Sequence, residues 1–258
     1  MSPPIIPFRI MPVSKAMSHI LSGMKAHWRP MLNLAVPWLA LIALINIIGL
    51  QLFPHPKSSP LQLELRWIDV VVIVLNLIAT SSVAVSWHQF ILRDVPLNTV
   101  KPFRVDKTVQ SYFARVVLID VVCFVPLLIL VGVAEFLPAV FSAIILALVI
   151  QLGVAAYRIS LGLPAIAIND TPISMKQSFE KTAGNNWRIL GLLVIVHLIL
   201  VAVLLGYIFA VNFFQLLNPV MGLISVFILG IPATFFNMLL LVSLLTSLYG
   251  FFVERRDF

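Results

Sequence analysis

Charge is scarce in this sequence. Asp, Glu, Lys and Arg together make up 10% of it, against about 25% in ordinary soluble domains. A water-soluble globule of 258 residues is thereby excluded. Cysteine is reduced to Cys123, inside an apolar run, so neither a disulfide framework nor a cysteine-based metal site can be built. There is no His-Glu-x-x-His pair, no phosphate-binding loop, no Gly-x-Ser-x-Gly elbow and no carboxylate cluster. Long polar stretches are missing too, so no separate catalytic domain fits between the apolar runs. The chain is expected to be non-enzymatic, with no catalytic residue, no cofactor and no metal.

Acidic residues are scarcer than basic ones, and the net charge is +7. A basic balance raises the question of nucleic acid. Here the bases are spread over many connectors and form no dense patch, so nucleic acid is not an expected partner. Lys and Arg gather on the cytoplasmic loops of membrane proteins and face anionic lipid there. Membrane lipids are therefore the expected partners, with another membrane protein as the second. The oligomeric state stays open.

What is abundant is apolar sequence. Hydrophobic residues make up 61% of the chain, and the mean hydropathy is +1.07. The apolar residues fall in six runs: residues 31–52, 68–92, 116–136, 139–163, 189–211 and 220–252. Each reaches the roughly 20 residues a helix needs to cross a bilayer. A backbone in lipid must satisfy its own hydrogen bonds, so each run reads as a helix. The fold class is all-α integral membrane, with six transmembrane helices in three hairpins, each hairpin preceded by a cytoplasmic interfacial segment. Residues 1–30 form the N-terminal interfacial segment, 31–252 the six-helix domain and 253–258 a cytoplasmic tail. Met1–Pro30 lacks the continuous apolar core of a secretory signal, so the run from Met31 is read as a retained span. The last run is long, and Pro232 should kink it or it should tilt.

All of the 17 basic residues except Lys57 and Arg66 fall on one side of this arrangement. The positive-inside rule places that side, with both termini, in the cytoplasm. Splitting the last run at Pro232 would export Arg255 and Arg256, so seven spans are rejected. The outer connectors, His55–Glu64 (with Pro54, Pro56 and Pro60 nearby), Glu135–Pro138 and Asn212–Pro219, are too short to fold as domains.

The cytoplasmic segments resemble one another. Pro12-Val13-Ser14, Pro96-Leu97-Asn98 and Pro172-Ile173-Ser174 open three units. Each unit runs to an aromatic-basic junction: Trp28-Arg29, Tyr112 to Arg115, and Trp187-Arg188. A hairpin follows and returns to an edge aromatic, at Trp87, Tyr157 and Tyr249. This reads as an internal repeat of one interfacial segment plus one hairpin. Val13, Met17, Ile20, Leu21 and Met24 recur near helical spacing. That stretch is read as a cytoplasmic elbow packing on the bundle, with a lipid-sensing surface as the alternative.

The segments Tyr157-Arg158-Ile159-Ser160-Leu161, Leu163 to Ala167 and Ser178 to Arg188 carry a resemblance, and Trp87-His88-Gln89-Phe90 and Leu248 to Arg255 fit it. The chain resembles a group of bacterial integral membrane proteins that is similar to the membrane region found beside the catalytic domain in some glycerophosphoryl diester phosphodiesterases. The resemblance implies a six-span bacterial inner-membrane protein and supplies no substrate. The phosphodiesterase barrel and its acidic metal ligands are absent, so that activity is not carried over.

Ionisable groups at membrane depth are costly, and they are the candidate functional residues. Asp120 lies just inside the third span and is expected to be an edge carboxylate held by Arg115 or Lys107. The competing reading couples it to His197 or Asn237 in a path. His197 is expected to be a neutral histidine bonding another helix. His88, beside Trp87, reads as a structural junction. Asn46, Asn76, Gln151, Asn212 and Asn237 are read as cross-links between helices or as the lining of a path. Asn185 or Asn186 should cap the fifth span. The functional reading is an accessory, assembly or lipid-interacting component of the inner membrane; the alternative is a small-solute transporter or channel.

Overall fold

The computed structural model describes residues 9–52, 67–101, 103–134 and 142–258. Eight helices are found among them: α1 (Val13–Leu52), α2 (Trp67–Arg93), α3 (Lys107–Ala134), α4 (Ser142–Ser160), α5 (Leu163–Ala167), α6 (Met175–Lys181), α7 (Asn186–Leu217) and α8 (Pro219–Phe252). A 3-10 turn, Leu97–Thr99, lies between α2 and α3, and no strand occurs among the described residues. Six of the helices (α1, α2, α3, α4, α7 and α8) are long and apolar enough to cross a membrane. The expected outer connectors 55–64 and 135–138, with Lys57 and Arg66, lie outside the described residues, as do the expected end of the third span at Phe136 and the start of the fourth at Ala139.

The first helix begins well before Met31. Residues 13–30 run unbroken into the first span, and α1 has 40 residues with Pro30 and Pro37 inside it. At 1.5 Å per residue it rises about 60 Å, roughly twice the thickness of the hydrocarbon core. Its early turns have two faces. Ala16, Met17, Ile20 and Met24 are buried, while Lys15, Ser18 and Lys25 are exposed. Leu21 belongs to the exposed side, at 43%. This helical start is therefore a packed part of the bundle. In the second unit only the 3-10 turn precedes α3. In the third, α6 is a separate helix closed by a capping box, with Ser174 Oγ accepting from Gln177 N–H and the Gln177 side chain accepting from Ser174 N–H.

The last helix is the centre of the molecule. α8 packs on α7, α1 and α2, and it runs through Pro232 as one helix. From Met238 to Phe252 all but Leu241 of its residues are buried. A helix apolar all round belongs in a core. The facing stretch of α2 is rich in small residues, with Ser81, Ser82, Ala84 and Ser86 all buried. Small side chains let two helix backbones approach closely. The α3–α4 pair packs beside this centre, and its outward residues, such as Val125 and Ile129 on α3 and Ile144 and Leu146 on α4, are apolar and exposed. An exposed apolar surface of this extent fits lipid.

Two sequence readings shift. The expected turn Asn212–Pro219 shrinks to Asn218, because α7 continues to Leu217 and Pro219 already opens α8. No helix breaker precedes Asn218, whose side chain then caps α8 by accepting from Val220 N–H at 2.8 Å. Gly222 stands against the Gln215 backbone there: a Cβ would meet Gln215 Cα at 2.8 Å. Trp87 and Tyr249, read as edge aromatics, are buried rather than exposed there. They are 1% and 0% exposed and belong to the core, whereas Trp28 and Trp187 stand out at 43% and 78%.

Candidate functional site

The polar side chains with long-range partners gather at the basic end of the bundle. Arg93, at the end of α2, reaches Glu254 at 2.7 Å and Asp170 at 3.4 Å. Arg256 meets Glu254 at 2.7 Å, and Tyr249 O–H donates to Asp170 at 3.3 Å. Gln89 donates to Ala167 O and accepts from Arg104, each at 2.7 Å. Arg158 spreads its guanidinium over Thr182 Oγ1, Asn186 Oδ1 and Phe179 O, at 2.7, 2.8 and 2.7 Å, and stacks 4.3 Å from the Phe179 ring. The planar fork of Arg serves several acceptors at once. Together these bonds tie the end of α2, both loops and the tail into one layer.

Within this layer Asn185 does not act as sequence position suggests. It stands before α7, yet its side chain makes no capping bond. Its Oδ1 accepts from Met11 N–H at 2.9 Å and its Nδ2 donates to Arg9 O at 2.8 Å. Arg188 donates to Met11 O at 3.0 Å. The segment before α1 is thereby docked on the start of α7, and Arg9 continues to Phe251 O and to Asp257. Asp106 is a cap that the sequence reading missed. Its carboxylate accepts from Val109 N–H at 3.0 Å at the start of α3 and pairs with Arg104 at 2.6 Å. Burial pushes that carboxyl up, but the Val109 and Thr108 N–H groups and the Arg104 guanidinium outweigh it and hold it below its usual range.

His88 is the buried node of the site. It is 0% exposed, and both ring nitrogens are engaged: Nδ1 with Thr246 Oγ1 at 2.8 Å and Nε2 with the Tyr112 hydroxyl at 3.2 Å. Three helices, α2, α3 and α8, meet at this ring. Hydrogen counting fixes its form. Thr246 has one hydroxyl hydrogen and donates it to Val242 O at 2.8 Å, so Nδ1 must carry the proton it shares with Thr246. Nε2 then accepts from Tyr112 O–H. The ring is neutral, and each polar group has a partner, as burial requires. No carboxylate touches it, so the pair His88–Thr246 lacks the third group of a nucleophilic triad.

The other candidates are placed apart from this node. Asp120 lies on the outward side of α3, exposed, with no hydrogen bond or ion pair among the described residues; Arg115 turns instead toward Ile173 O at 3.5 Å. His197 is exposed on α7, and its Nδ1 bonds Leu193 O of its own helix at 2.8 Å, with the Tyr157 ring edge-on at 6.2 Å. Asn46, Asn76 and Asn212 likewise donate to the carbonyl four residues back, at 2.8, 2.9 and 2.8 Å. In an apolar span the i−4 carbonyl is the acceptor always within reach, and it wins over a neighbouring helix. Asn237 keeps a buried Oδ1 without a protein partner. Among the described residues no group of three His, Cys, Asp or Glu side chains could hold a metal ion.

Compared with protein-family models, with curated proteins and with solved structures, the chain matches none.

Proposed function

We propose that the chain is a non-enzymatic, multi-pass protein of the bacterial inner membrane with both termini in the cytoplasm, acting as an accessory, assembly or lipid-interacting component. The observation that carries this reading is the segregation of polar chemistry. Charged pairs lock the basic end into one layer, while Asn46, Asn76, Asn212 and His197 spend their hydrogen bonds within their own helices. Such a bundle presents a stiff cytoplasmic face and an apolar flank to lipid. The resemblance to membrane regions beside glycerophosphoryl diester phosphodiesterases agrees with a role next to lipid chemistry done elsewhere. A reporter active only in the periplasm, fused after Phe258, should give no signal. Purified protein in liposomes should retain bound lipid and pass no small solute; a periplasmic signal, or solute flux without retained lipid, would refute the reading.

The second reading, a small-solute transporter or channel, draws on a cavity of ≈ 320 Å³ between α1, α2 and α8 bordered by Asn46, Asn76 and Thr234. Solute flux in the same liposomes decides for it.

A further inference from the structure

A cleft of ≈ 330 Å³ opens at the basic end between α1, α2, α8 and the tail. Its volume lies at the small end of the roughly 300–1,000 Å³ of ligand pockets. Gly23 of α1 and Gly250 of α8 border it. Both sit inside helices, where glycine is a weak helix former. Neither serves to bring two helices together. An added Cβ would meet nothing within 4 Å at Gly23, and at Gly250 only Arg256 Cδ at 3.8 Å. Gly222, by contrast, is pressed against Gln215. The two glycines keep the cleft clear. Aromatic rings complete its walls: Phe90 meets the His27 ring edge-on at 4.9 Å, and Phe258 stacks on Phe251 and tilts over His19 at 5.5 Å.

Charge around the cleft is not balanced. Arg9, Arg93 and Arg256 are matched by Asp257, Asp170 and Glu254. Asp94 also borders the cleft, and it has no hydrogen bond or ion pair among the described residues. It follows directly on Arg93, the last residue of α2, with φ 54°. Glycine or asparagine would serve this left-handed position. An acid is disfavoured there, because it faces the negative end of the helix dipole. The end of α8, at Phe252, brings a second negative helix end to the same place. A solvated carboxylate accounts for Asp94 by itself, but not for a cleft kept clear beside it. The surplus carboxylate and both helix ends favour a cation. No group of three metal-binding side chains occurs among the described residues, so the cation that fits is organic.

We propose that this cleft binds a small organic ammonium, with Asp94 as its anionic partner and the aromatic walls around its short carbon chain. The ammonium has three N–H donors to satisfy. The Asp94 carboxylate offers two acceptor oxygens, and neutral His27, which makes no hydrogen bond among the described residues, offers one ring nitrogen. The carbon chain lies against Phe90 over the glycines, and aromatic faces attract a cation. An anion would meet Asp94 and Asp257, while Arg256 is already engaged with Glu254 and Leu92 O. The same ammonium is available free in water or on the headgroup of an ethanolamine lipid. The inference is independent of the accessory reading, since it rests on the cleft alone.

The test uses the full chain in neutral detergent at neutral pH, with three probes of one size: ethanolamine, ethylene glycol and glycolate. Saturation-transfer NMR should show saturable binding of ethanolamine alone. Asp94→Asn, which suits the left-handed turn, should weaken it about tenfold or more, the scale of losing a hydrogen bond to a charged group. Gly23→Leu, which fills the cleft and favours the helix, should abolish it. Thermal unfolding checks that each variant is folded, and either variant decides the matter if the other is not. No saturable ethanolamine binding by wild type, equal binding of glycolate, or unchanged binding in the folded variants would overturn the proposal. Nanodiscs then separate the sources. A headgroup ligand makes phosphatidylethanolamine discs exclude free ethanolamine where phosphatidylglycerol discs admit it; a free ligand binds equally in both, and either result upholds the site. None of these measurements scores lipid retention, which tests the accessory reading separately.

Discussion

Replacing Asn185 separates a docking residue from a cap. Asn185 is 1% exposed and Met11 0%, so the Met11 N–H that it satisfies has no access to water. Asn185→Ala strands that donor, at about 1–3 kcal/mol for a buried unpaired group. It also removes donation to Arg9 O and, at 3.2 Å, to Ala183 O. Those carbonyls keep a second lone pair and lose about 0.5–1 kcal/mol between them. The sum is about 1.5–4 kcal/mol. Asn185→Ser is the informative companion. Serine is as good a cap as asparagine, but its hydroxyl is too short to bridge Arg9 and Met11, so it should cost nearly as much as alanine. Asn186→Ala, which loses one exposed bond from Arg158, should cost under about 1 kcal/mol. Reversible unfolding in mixed micelles, scored by tryptophan fluorescence, measures all three. If Asn185→Ser matches wild type, or if Asn185→Ala costs no more than Asn186→Ala, the docking argument fails and capping returns.

Asp106 makes stability depend on acid. Its folded carboxyl sits below the unfolded value of 3.8, so its contribution is complete above that value and is lost as pH falls through the folded pKa. Asp106→Asn should therefore flatten the stability curve below about pH 4 relative to wild type; parallel curves in the same micelle assay would show that the cap and the Arg104 pair contribute nothing. Asp120, exposed on α3 and without a hydrogen bond or ion pair among the described residues, should be dispensable to the fold. Asp120→Leu removes a charge whose insertion penalty reaches up to about 2.5–3.5 kcal/mol at a span centre, so its melting temperature should equal or exceed that of wild type. A drop of several degrees would show that the carboxylate is held by something in the native membrane protein.

The six long helices were legible because their cause is local. A continuous apolar run leaves the backbone one way to satisfy itself in lipid, and no distant residue is needed to say so. The basic end was legible for a similar reason, since Lys and Arg mark it one residue at a time. The partners at the site were not. His88 was read as a structural junction, but what it joins was hidden, because Thr246 is a single hydroxyl in an apolar run, 158 residues away. Asn185 looked like a cap because its true partners lie 174 and 176 residues back. Asn46, Asn76 and Asn212 were read as cross-links between helices or as the lining of a path, and His197 as bonding another helix; each settles on the carbonyl one turn back, while Asn46 and Asn76 also border a cavity. The length of α1 was hidden by Lys15, Lys25 and Arg29, which read as a break in hydrophobicity but stand on an exposed side of an unbroken helix.

The central place of α8 has a consequence for how the molecule is made. The helix that completes the core leaves the ribosome after the groove that receives it, which α1 and α2 form. At 5–20 residues per second, His88 waits roughly 8–30 s for Thr246. Throughout that interval the His88 imidazole stands beside lipid without Thr246, while Ser81 and Ser86 already bond Leu77 O and Ser82 O of their own helix. Biogenesis is then a matter of holding open a seat for a helix not yet translated. The step most exposed to failure is the late arrival of α8 between two helices that have every reason to close on each other first.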